Sequence, residues 1–247
     1  MKKILVLVNF VDKFQNMIDE ALSKNMVDEV IKTDIDNFNN DTDKILENGN
    51  TPIFMKGLIE TSDFMRLILK HGKLYDKSKL LSHCGIFDDR FILTDGALNI
   101  NPSKEEKVKI MENAIFLFNK LHKGEKAKVS ILTPAGKFNP KIQSSVDGSF
   151  VMENLEDKAD FVFDQLDTAV SNKAAEIKGK TFDKESNILL CHDLDSGNIL
   201  YKSFTQFCGY LVAGLIIGAK FPICLTSRSD STESKLKSLS YAIKTLD

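Results

Sequence analysis

A cluster of hydroxyl and charged residues near the C-terminus is suited to hold an anion. It runs Thr226-Ser227-Arg228-Ser229-Asp230-Ser231, between a predicted strand and a predicted helix. Hydroxyls and backbone amides that precede a helix bind anions, and an arginine adds a planar, bidentate donor matched to phosphate. The pattern predicts that the cluster binds a phosphate group. The alternative is that Ser231 only caps the helix while Arg228 is solvated.

Arg228 is one of only three arginines, against 30 lysines. A chain that uses lysine wherever charge alone is needed retains an arginine for its geometry, so Arg228 is favoured over Arg66 and Arg90, which suit a solvated helix face and a pair with Asp88-Asp89. Four further polar clusters stand at strand ends, where open α/β sheets bind ligands. They are Met55-Lys56-Gly57, Leu81-Ser82-His83, Thr94-Asp95-Gly96-Ala97-Leu98-Asn99 and Leu194-Asp195-Ser196-Gly197-Asn198-Ile199-Leu200-Tyr201-Lys202.

The elements that position these clusters alternate between short apolar runs and longer amphipathic segments, which is typical of an α/β fold with a parallel sheet. The predicted strands are Ile4–Val8, Thr51–Met55, Phe91–Thr94, Lys128–Leu132, Phe161–Phe163, Ile188–Cys191 and Pro222–Leu225. The predicted helices are Lys13–Ser23, Thr61–Leu69, Lys104–Leu121, Asn198–Gly209, Tyr210–Gly218 and Ser231–Leu246. Ser103 is the predicted cap of the third helix, and the asparagine- and aspartate-rich stretch Asp34–Asp43 is predicted as a loop.

Composition excludes several classes of protein. The 247 residues carry a net charge of −2, and 43% of them are hydrophobic, including 17 Phe. That is ample material for a buried core and rules out disorder as the main state. A near-neutral charge gives no basic surface for a nucleic acid, so no nucleic-acid partner is expected. The predicted partner is a small molecule.

Cysteine usage and hydropathy indicate a soluble, cytoplasmic protein. The four cysteines, Cys84, Cys191, Cys208 and Cys224, form no CxxC pair and stand in apolar surroundings, which predicts reduced, buried thiols. Phe207, beside one of them, is likewise expected in the core. The longest apolar stretch, 207–219, is shorter than the roughly 18–20 residues that span a bilayer. No membrane partner is expected.

Three motifs fail on inspection. Gly179-Lys180-Thr181 imitates the end of a P-loop, but Ala174 stands where that loop requires glycine. His192-Asp193 imitates a metal-binding pair, yet adjacent side chains on a strand end point apart, so a hydrogen-bonding role is favoured. No GxGxxG follows the first strand, which argues against an ordinary dinucleotide site.

Several ordered motifs together resemble the phosphate acetyltransferase and phosphate butyryltransferase family, more closely its butyryl branch. The C-terminal signature runs from Asp193 to Lys202, continues through Ala213-Gly214-Leu215 and Gly218-Ala219-Lys220, and ends in the cluster at 226–231. Upstream, the matching segments are Lys56-Gly57 with Thr61, Leu81-Ser82-His83, Thr94-Asp95 through Asn99, Asn139-Pro140-Lys141 and Leu166-Asp167 with Ala169-Val170-Ser171. The resemblance covers about residues 50–247.

The resemblance implies a reversible transfer of a short-chain acyl group between coenzyme A and inorganic phosphate. It implies two α/β/α three-layer domains like those of isocitrate and isopropylmalate dehydrogenases, with a cleft between them, and a homodimer. On that pattern residues 1–82 and 226–247 form one discontinuous domain and 83–225 the other. Coenzyme A and its thioester are expected as substrates, with phosphate. No metal and no tightly bound cofactor are expected.

Position in the family motif implies that Ser227 supplies a hydroxyl and Arg228 the phosphate-binding guanidinium. The acidic residue proposed as base in the acetyl branch corresponds here to Ser234, so Glu233 is the candidate base and Asp230 the second. Each of the two carboxylates can equally be an exposed charge on a helix's first turn. The predicted substrate-binding and phosphate-binding residues are Lys56, Gly57, Ser82, His83, Asn99, Asp195, Asn198, Lys202 and Thr226.

The chain departs from the family pattern at two places near the expected phosphate. Leu58-Ile59-Glu60-Thr61 replaces Asn-Ile-His-Thr, and Lys79-Leu80 stands where an arginine usually precedes Leu-Ser-His. Lysine keeps the charge but loses the planar fork, and whether Lys79 or Arg90 replaces the second arginine decides between an enzyme and a non-catalytic homologue. Two other functions therefore stay open. One is a non-catalytic homologue that binds coenzyme A or acyl phosphate, and the other is a dehydrogenase using Asp193 and Asp195 on a metal.

Overall fold

The computed structural model describes residues 1–171 and 186–246 of the chain. The P-loop-like Gly179-Lys180-Thr181 lies outside the described residues. Two compact units are present, one formed by Met1–Lys79 with Leu211–Asp247 and the other by Leu80–Tyr210. We call them the first and the second unit. In the described part of the chain, no helix combines the length and the apolar character needed to cross a membrane.

Both units are built from β-strands and α-helices. The strands are β1 (Lys3–Val8), β2 (Glu29–Thr33), β3 (Thr51–Lys56), β4 (Ser82–Phe87), β5 (Phe91–Thr94), β6 (Ala127–Leu132), β7 (Ala159–Asp164), β8 (Ile188–Leu190), β9 (Val212–Ile217) and β10 (Ile223–Cys224). The helices are α1 (Gln15–Ser23), α2 (Phe38–Glu47), α3 (Thr61–Lys70), α4 (Lys104–Leu121), α5 (Gln143–Leu155), α6 (Leu166–Val170), α7 (Leu194–Gln206) and α8 (Thr232–Lys244).

In the first unit the strand order is β2-β1-β3-β10-β9, in which the first four run parallel and β9 runs antiparallel to β10. β1 and β3 are buried along almost their whole length. Their apolar residues therefore sit on both faces, as in a sheet covered by helices. The carboxyl ends of β1, β3 and β10 meet at one edge, because Val8 lies beside Lys56 and Cys224 beside Met55.

In the second unit the order is β4-β5-β8-β6-β7. β5, β8, β6 and β7 run parallel, and β4 is antiparallel to β5. The antiparallel pairing sets the start of β4 beside the end of β5, with Cys84 opposite Thr94. Residues from both strands consequently share the edge where the parallel strands end.

The sequence located most of these elements. All seven predicted strands overlap an observed strand, five of the six predicted helices overlap an observed helix, and the predicted bounds of α4 match at both ends. The predicted cap is confirmed, because Ser103 Oγ accepts from the N–H of Glu106, whose carboxylate accepts from the N–H of Ser103. The predicted Asn198–Gly209 helix begins earlier, at Leu194, where Asp193 and Ser196 form a second capping box.

Two predictions of secondary structure were wrong. Residues 210–218, predicted as a helix, contain strand β9, whose six residues are all buried. Residues 34–43, predicted as a loop, include the first half of α2, which buries Phe38, Thr42 and Ile45 on one face. Strand β4 was recognised only as a polar cluster, and β2, α5 and α6 were not predicted.

Two expectations about buried residues also need correction. Cys84, Cys191 and Cys224 are buried, but Cys208 is exposed. Phe207, expected in the core, is 89% exposed. Both residues follow the end of α7, in a segment that lies between α7 and β9.

The C-terminal part of the first unit begins at Leu211, whereas the expected domain boundary was residue 226. The reason is that β10 pairs with β3 and β9 pairs with β10.

Candidate active site

At the edge of the first unit where β1, β3 and β10 end, the chain after β3 passes very close to the end of β1. The N–H of Gly57 donates to Val8 O at 2.9 Å, and the N–H of Leu58 donates to Asn9 O at 2.8 Å. A Cβ atom on residue 57 would lie only 2.4 Å from Asn9 O. Gly57 is therefore required for close approach of two backbones, and it fixes where Lys56 stands.

Lys56 is a buried cation at this edge, with 5% of its surface exposed. Its Nζ donates to Ile59 O at 3.0 Å, which leaves two of its three hydrogens for another partner. Burial lowers the pKa of Lys56, and the charge of Arg228 lowers it further. Thr226, also buried, reaches Lys56 O through Oγ1 at 3.4 Å and so links the chain after β10 to β3.

The turn at 227–230, which we call the serine–arginine turn, is held by polar contacts on several sides. The Asp230 carboxylate accepts from the N–H of Ser227 at 2.6 Å. Lys13 Nζ donates to Arg228 O at 2.7 Å, and Lys235 Nζ donates to Asp230 O. With carbonyl oxygens bound by lysines, the turn is fixed in shape while the hydroxyls of Ser227 and Ser229 remain part-exposed and 3.1 Å apart.

Arg228 itself is paired with Glu60. The guanidinium Nη2 donates to Glu60 Oε1, and about half of the arginine side chain remains exposed. The hydrogen bond and the charge of Arg228 hold the pKa of the Glu60 carboxyl below its ordinary value. Glu60 stands where the family pattern usually has histidine, so in this chain a carboxylate is the anion paired with Arg228.

The candidate bases differ in their surroundings. Asp230 is committed to the backbone of the serine–arginine turn, as described above. Glu233 lies exposed on the first turn of α8, and Ser234, at the family's acidic position, is buried with its N–H donated to the Ser231 cap at 3.1 Å. The capping role considered for Ser231 is confirmed, but Arg228 is ion-paired rather than merely solvated.

In the second unit, the corresponding edge is organised around Asp95, which is 4% exposed. One carboxylate oxygen accepts from the N–H groups of Ala97 and Leu98 at 2.8 and 3.0 Å. The other accepts from the N–H of His83 at 3.1 Å and from Asn99 Nδ2 at 2.6 Å. One buried carboxylate thus joins the start of β4 to the loop after β5, and Asn99 serves to hold that loop.

The start of α7 closes on the same loop. A Cβ atom on Gly197 would lie 2.1 Å from Asp95 O, so this position also requires glycine. Asn198 Nδ2 donates to Gly96 O at 3.0 Å. Asp195 and Lys202 project from this helix as exposed charges. The predicted residues Asn99, Asn198 and His83 are therefore brought together, and Asp195 and Lys202 lie on the adjoining helix.

His83 and Ser82 are buried beneath this loop. His83 is 2% exposed, and its ring packs against Tyr201 with ring centroids 5.4 Å apart. Its Nδ1 has no hydrogen-bond partner among the described residues. Burial lowers the pKa of His83, so its imidazole is neutral. Ser82 Oγ accepts from Asn113 Nδ2 at 2.9 Å. Arg90 lies at the opposite end of the β4–β5 pair, donating to Tyr210 and Val170 at 3.4 Å.

The sequence did not reveal the residues that hold other site residues in place. Asp95 was seen only as part of a polar cluster, and Glu60 only as a departure from the family pattern. Lys13 and Lys235 gave no signal, because a lysine's type does not show that its ammonium is bound to a backbone carbonyl. Within residues 1–171 and 186–246, no three His, Cys, Asp or Glu side chains are grouped to hold a metal ion.

The fold and the site define a class of protein with two α/β units. Each unit has polar residues at the edge where its parallel strands end, and one unit has a turn that carries an arginine. Comparison with known proteins shows which family has this arrangement. Residues 7–243 match the family described as "Phosphate acetyl/butaryl transferase". A phosphate butyryltransferase from Clostridium beijerinckii is 32% identical over 212 residues, covering 81% of this chain and 70% of that protein.

A solved structure extends the likeness over the whole chain. The branched-chain phosphotransacylase from Enterococcus faecalis is 29% identical, covers 100% of both chains and gives a TM-score of 0.83. A β-decarboxylating dehydrogenase from Thermococcus kodakarensis shares the fold at a TM-score of 0.53 and 12% identity, covering 96% of this chain and 77% of that one. The chain belongs to the phosphate acetyl/butyryl transferase family and is an acyltransferase. The resemblance seen in the sequence is confirmed, and the match begins at residue 7 rather than near 50.

Proposed function

We propose that the protein transfers a short-chain acyl group reversibly between coenzyme A and inorganic phosphate. The observation that supports this most directly is the serine–arginine turn beside buried Lys56. It combines a planar guanidinium, a buried ammonium and two hydroxyls at one strand edge. That donor set suits a tetrahedral dianion, because arginine binds two oxygens at once and lysine acts as a point charge.

In the proposed site, phosphate takes the place of the Glu60 carboxylate on Arg228. Lys56 and the hydroxyl of Ser227 supply further donors, while Thr226, whose hydroxyl donates to Lys56 O, holds Lys56 in place. A phosphate oxygen attacks the thioester carbonyl carbon, the new C–O bond forms, and the C–S bond breaks to release the CoA thiolate. In the reverse direction the thiol must first lose its proton, since only the thiolate attacks well.

Glu233 is our proposed proton acceptor for the CoA thiol. Its carboxylate is exposed on the first turn of α8 beside the serine–arginine turn, whereas Asp230 already accepts a backbone hydrogen bond within that turn. In the second unit, Lys202 supplies an exposed positive charge for a CoA phosphate. In this proposal Asn99, Asn198 and Gly57 hold the backbone of the site in place rather than contact substrate. Asp195 and His83 are the remaining residues proposed to bind substrate.

The Arg228–Glu60 pair also favours a second candidate, a non-catalytic protein that binds coenzyme A or acyl phosphate. In that case the carboxylate permanently fills the phosphate position. Calorimetry would then detect CoA binding without any turnover. The assay described next separates the two candidates.

The test follows free thiol released from butyryl-CoA with and without phosphate. We expect phosphate-dependent release by the natural sequence. Arg228→Lys should raise KM for phosphate about tenfold or more, because lysine keeps the charge but loses the bidentate fork. With CoA and butyryl phosphate as substrates, the direction in which the thiol must lose its proton, Glu233→Gln should lower kcat by about 100-fold, whereas Asp230→Asn should act mainly on KM for phosphate. No phosphate-dependent release from acetyl, butyryl or branched five-carbon thioesters would refute the enzyme.

We further propose a cytoplasmic homodimer. Three buried thiols support a reducing compartment, since none of the four cysteines is paired. Exposed Phe207, Ile199 and Ile100 supply apolar surface in the second unit, being 89%, 65% and 75% exposed. Light scattering measures the dimer's mass, and Phe207→Glu in the same experiment tests whether this surface forms the contact.

A further inference from the structure

Lys235 is a buried lysine at the N-terminal end of α8. Only 4% of its surface is exposed. Its Nζ lies 5.1 Å from the centre of the Phe14 ring and donates to Asp230 O, and Asp230 precedes Ser231, the N-terminal cap of α8. The side chain thus runs back along the helix, and its ammonium lies beyond the helix N-terminus.

Three effects oppose a positive charge at this place. Burial removes the ammonium from water, the N-terminus of a helix is the positive end of its dipole, and Lys13 adds a like charge. Burial lowers the pKa of Lys235, the Asp230 carboxylate opposes that change, and the charge of Lys13 adds to it. A methionine would fill the same space against Phe14 without these costs. The packing of α8 therefore does not explain why the residue carries a charge.

The two lysines bind successive carbonyl groups of the serine–arginine turn. Lys13 Nζ donates to Arg228 O at 2.7 Å, and Lys235 Nζ donates to Asp230 O. In a trans peptide the C=O and the N–H point in opposite directions, so the carbonyl bound by Lys13 turns the N–H of Ser229 the other way. That nitrogen lies 3.5 Å from Ser227 Oγ, the hydroxyl proposed to bind phosphate. The lysines hold one side of the turn, and the donors occupy the other.

Positive charge is in excess around the turn. Among the described residues, the charged groups that act on Lys56 or Lys235, together with these two lysines, are Lys13, Lys56, Arg228, Lys235, Glu60 and Asp230. Four of these groups are cations and two are carboxylates, which leaves an excess of two positive charges. A phosphate group carries about 1.5 to 2 negative charges at pH 7. The excess therefore matches the charge of a phosphate dianion.

We propose that Lys13 and Lys235 are positioning residues for phosphate. They hold the serine–arginine turn in the shape that presents its donors to the anion, and they add positive charge behind it. The inference rests on the proposed function, because it concerns the phosphate of that reaction. It accounts for a buried ammonium at a helix N-terminus, which packing alone does not explain.

The test removes each ammonium and keeps the length of the side chain. Lys235→Met does so at the buried position, and Lys13→Met does so at an exposed one, where the fold depends little on the side chain. We expect each variant to raise KM for phosphate about five- to tenfold, with kcat and KM for butyryl-CoA unchanged. Lys13→Arg keeps a charged donor and should stay within about twofold of the natural sequence. Steady-state kinetics with each substrate varied in turn measure these constants.

The matched control is Lys244→Met, at the other end of α8. Lys244 also lies over an aromatic ring, with its Nζ 5.2 Å from the centre of Tyr241, but it is exposed and makes no contact with the turn. Both KM values should stay unaltered in this variant. An unchanged KM for phosphate in Lys13→Met and Lys235→Met would overturn the proposal. An equal rise in the two KM values would also overturn it, because a general structural role disturbs both substrates alike.

Two further outcomes keep the proposal testable. If Lys235→Met does not fold, Lys13→Met decides by the same criterion. If the natural sequence shows no phosphate-dependent thiol release, the proposed function has failed, and calorimetry with inorganic phosphate decides the role of the lysines. Affinity weakened about fivefold or more in both methionine variants supports that role. Equal affinities, or no binding of phosphate by the natural sequence, contradict it.

Discussion

Single residues at the candidate site are held by partners that residue type alone does not reveal. Arg228 was recognisable from its type and from its neighbours, because an arginine among so many lysines indicates a geometric requirement. Its partner Glu60 and the lysines that hold the turn were not recognisable. Lys235 is 4% exposed and donates to Asp230 O, yet by sequence it is one more lysine on an amphipathic helix. Which carbonyl a long side chain reaches is decided by tertiary packing.

The Glu60 carboxylate should compete with phosphate for Arg228. In Glu60→Gln, Arg228 loses its ionic partner but keeps a neutral neighbour of the same size, so we expect KM for phosphate to fall several-fold. Steady-state kinetics with varied phosphate measure the change. Asp63→Asn is the matched control, because Asp63 is also an exposed carboxylate paired with an arginine, Arg66, at 2.7 Å. It should leave KM for phosphate unaltered.

The sign of the pH dependence follows from the lowered pKa of Glu60. A depressed pKa means that the carboxylate stays ionised, and paired, at every pH above its ordinary value of 4.5 and is neutralised only below it. The ratio of KM values between the natural sequence and Glu60→Gln should therefore stay constant from about pH 6 to 8. An equal KM in the two proteins would show that the carboxylate does not occupy the phosphate position.

At the level of elements, the sequence pattern was reliable where hydrophobic periodicity and capping agreed. Helix α4 shows both, and its predicted bounds are correct. Strand β9 was taken for a helix although its run Val-Ala-Gly-Leu-Ile-Ile is short and rich in β-branched residues. Helix α2 was hidden by its asparagines and aspartates, although Phe38, Thr42 and Ile45 recur at helical spacing. The loop prediction for residues 34–43 relied on their polar composition rather than on the spacing of their apolar residues. The buried face of α2 shows that the spacing is the better indicator of structure here.

Gly57 offers a test of how strand ends are held together. Gly57→Ala places a Cβ about where Asn9 O already is, 2.4 Å away, so backbone must move. We expect a loss of about 1–3 kcal/mol in the free energy of unfolding, and a raised KM for phosphate because Lys56 is the preceding residue. Urea denaturation and phosphate kinetics measure the two effects.

Gly72→Ala is the control for Gly57→Ala. A Cβ at position 72 meets no atom within 4 Å. This variant should stay within about 0.5 kcal/mol of the natural sequence in urea. If the two alanine variants prove equally stable, the close approach of Gly57 to β1 does not constrain this edge.

At the scale of the whole molecule, the reactivity of the buried thiols measures the unfolding of each unit separately. Burial raises the pKa of Cys191 to about 12 and also raises the pKa values of Cys84 and Cys224. A protonated, buried thiol does not react with a disulfide reagent, whereas Cys208 is exposed. Cys224 belongs to the first unit, and Cys84 and Cys191 belong to the second.

We therefore expect one fast-reacting thiol under native conditions and three that react only on unfolding. Cys208→Ser should remove the fast phase and leave the slow one. With rising urea, Cys84 and Cys191 should become reactive together, because β4 and β5 are paired and β5 pairs with β8, immediately before Cys191. Mass spectrometry of labelled peptides assigns each thiol. Exposure of Cys84 at a lower urea concentration than Cys191 would show that the second unit does not unfold as one cooperative sheet.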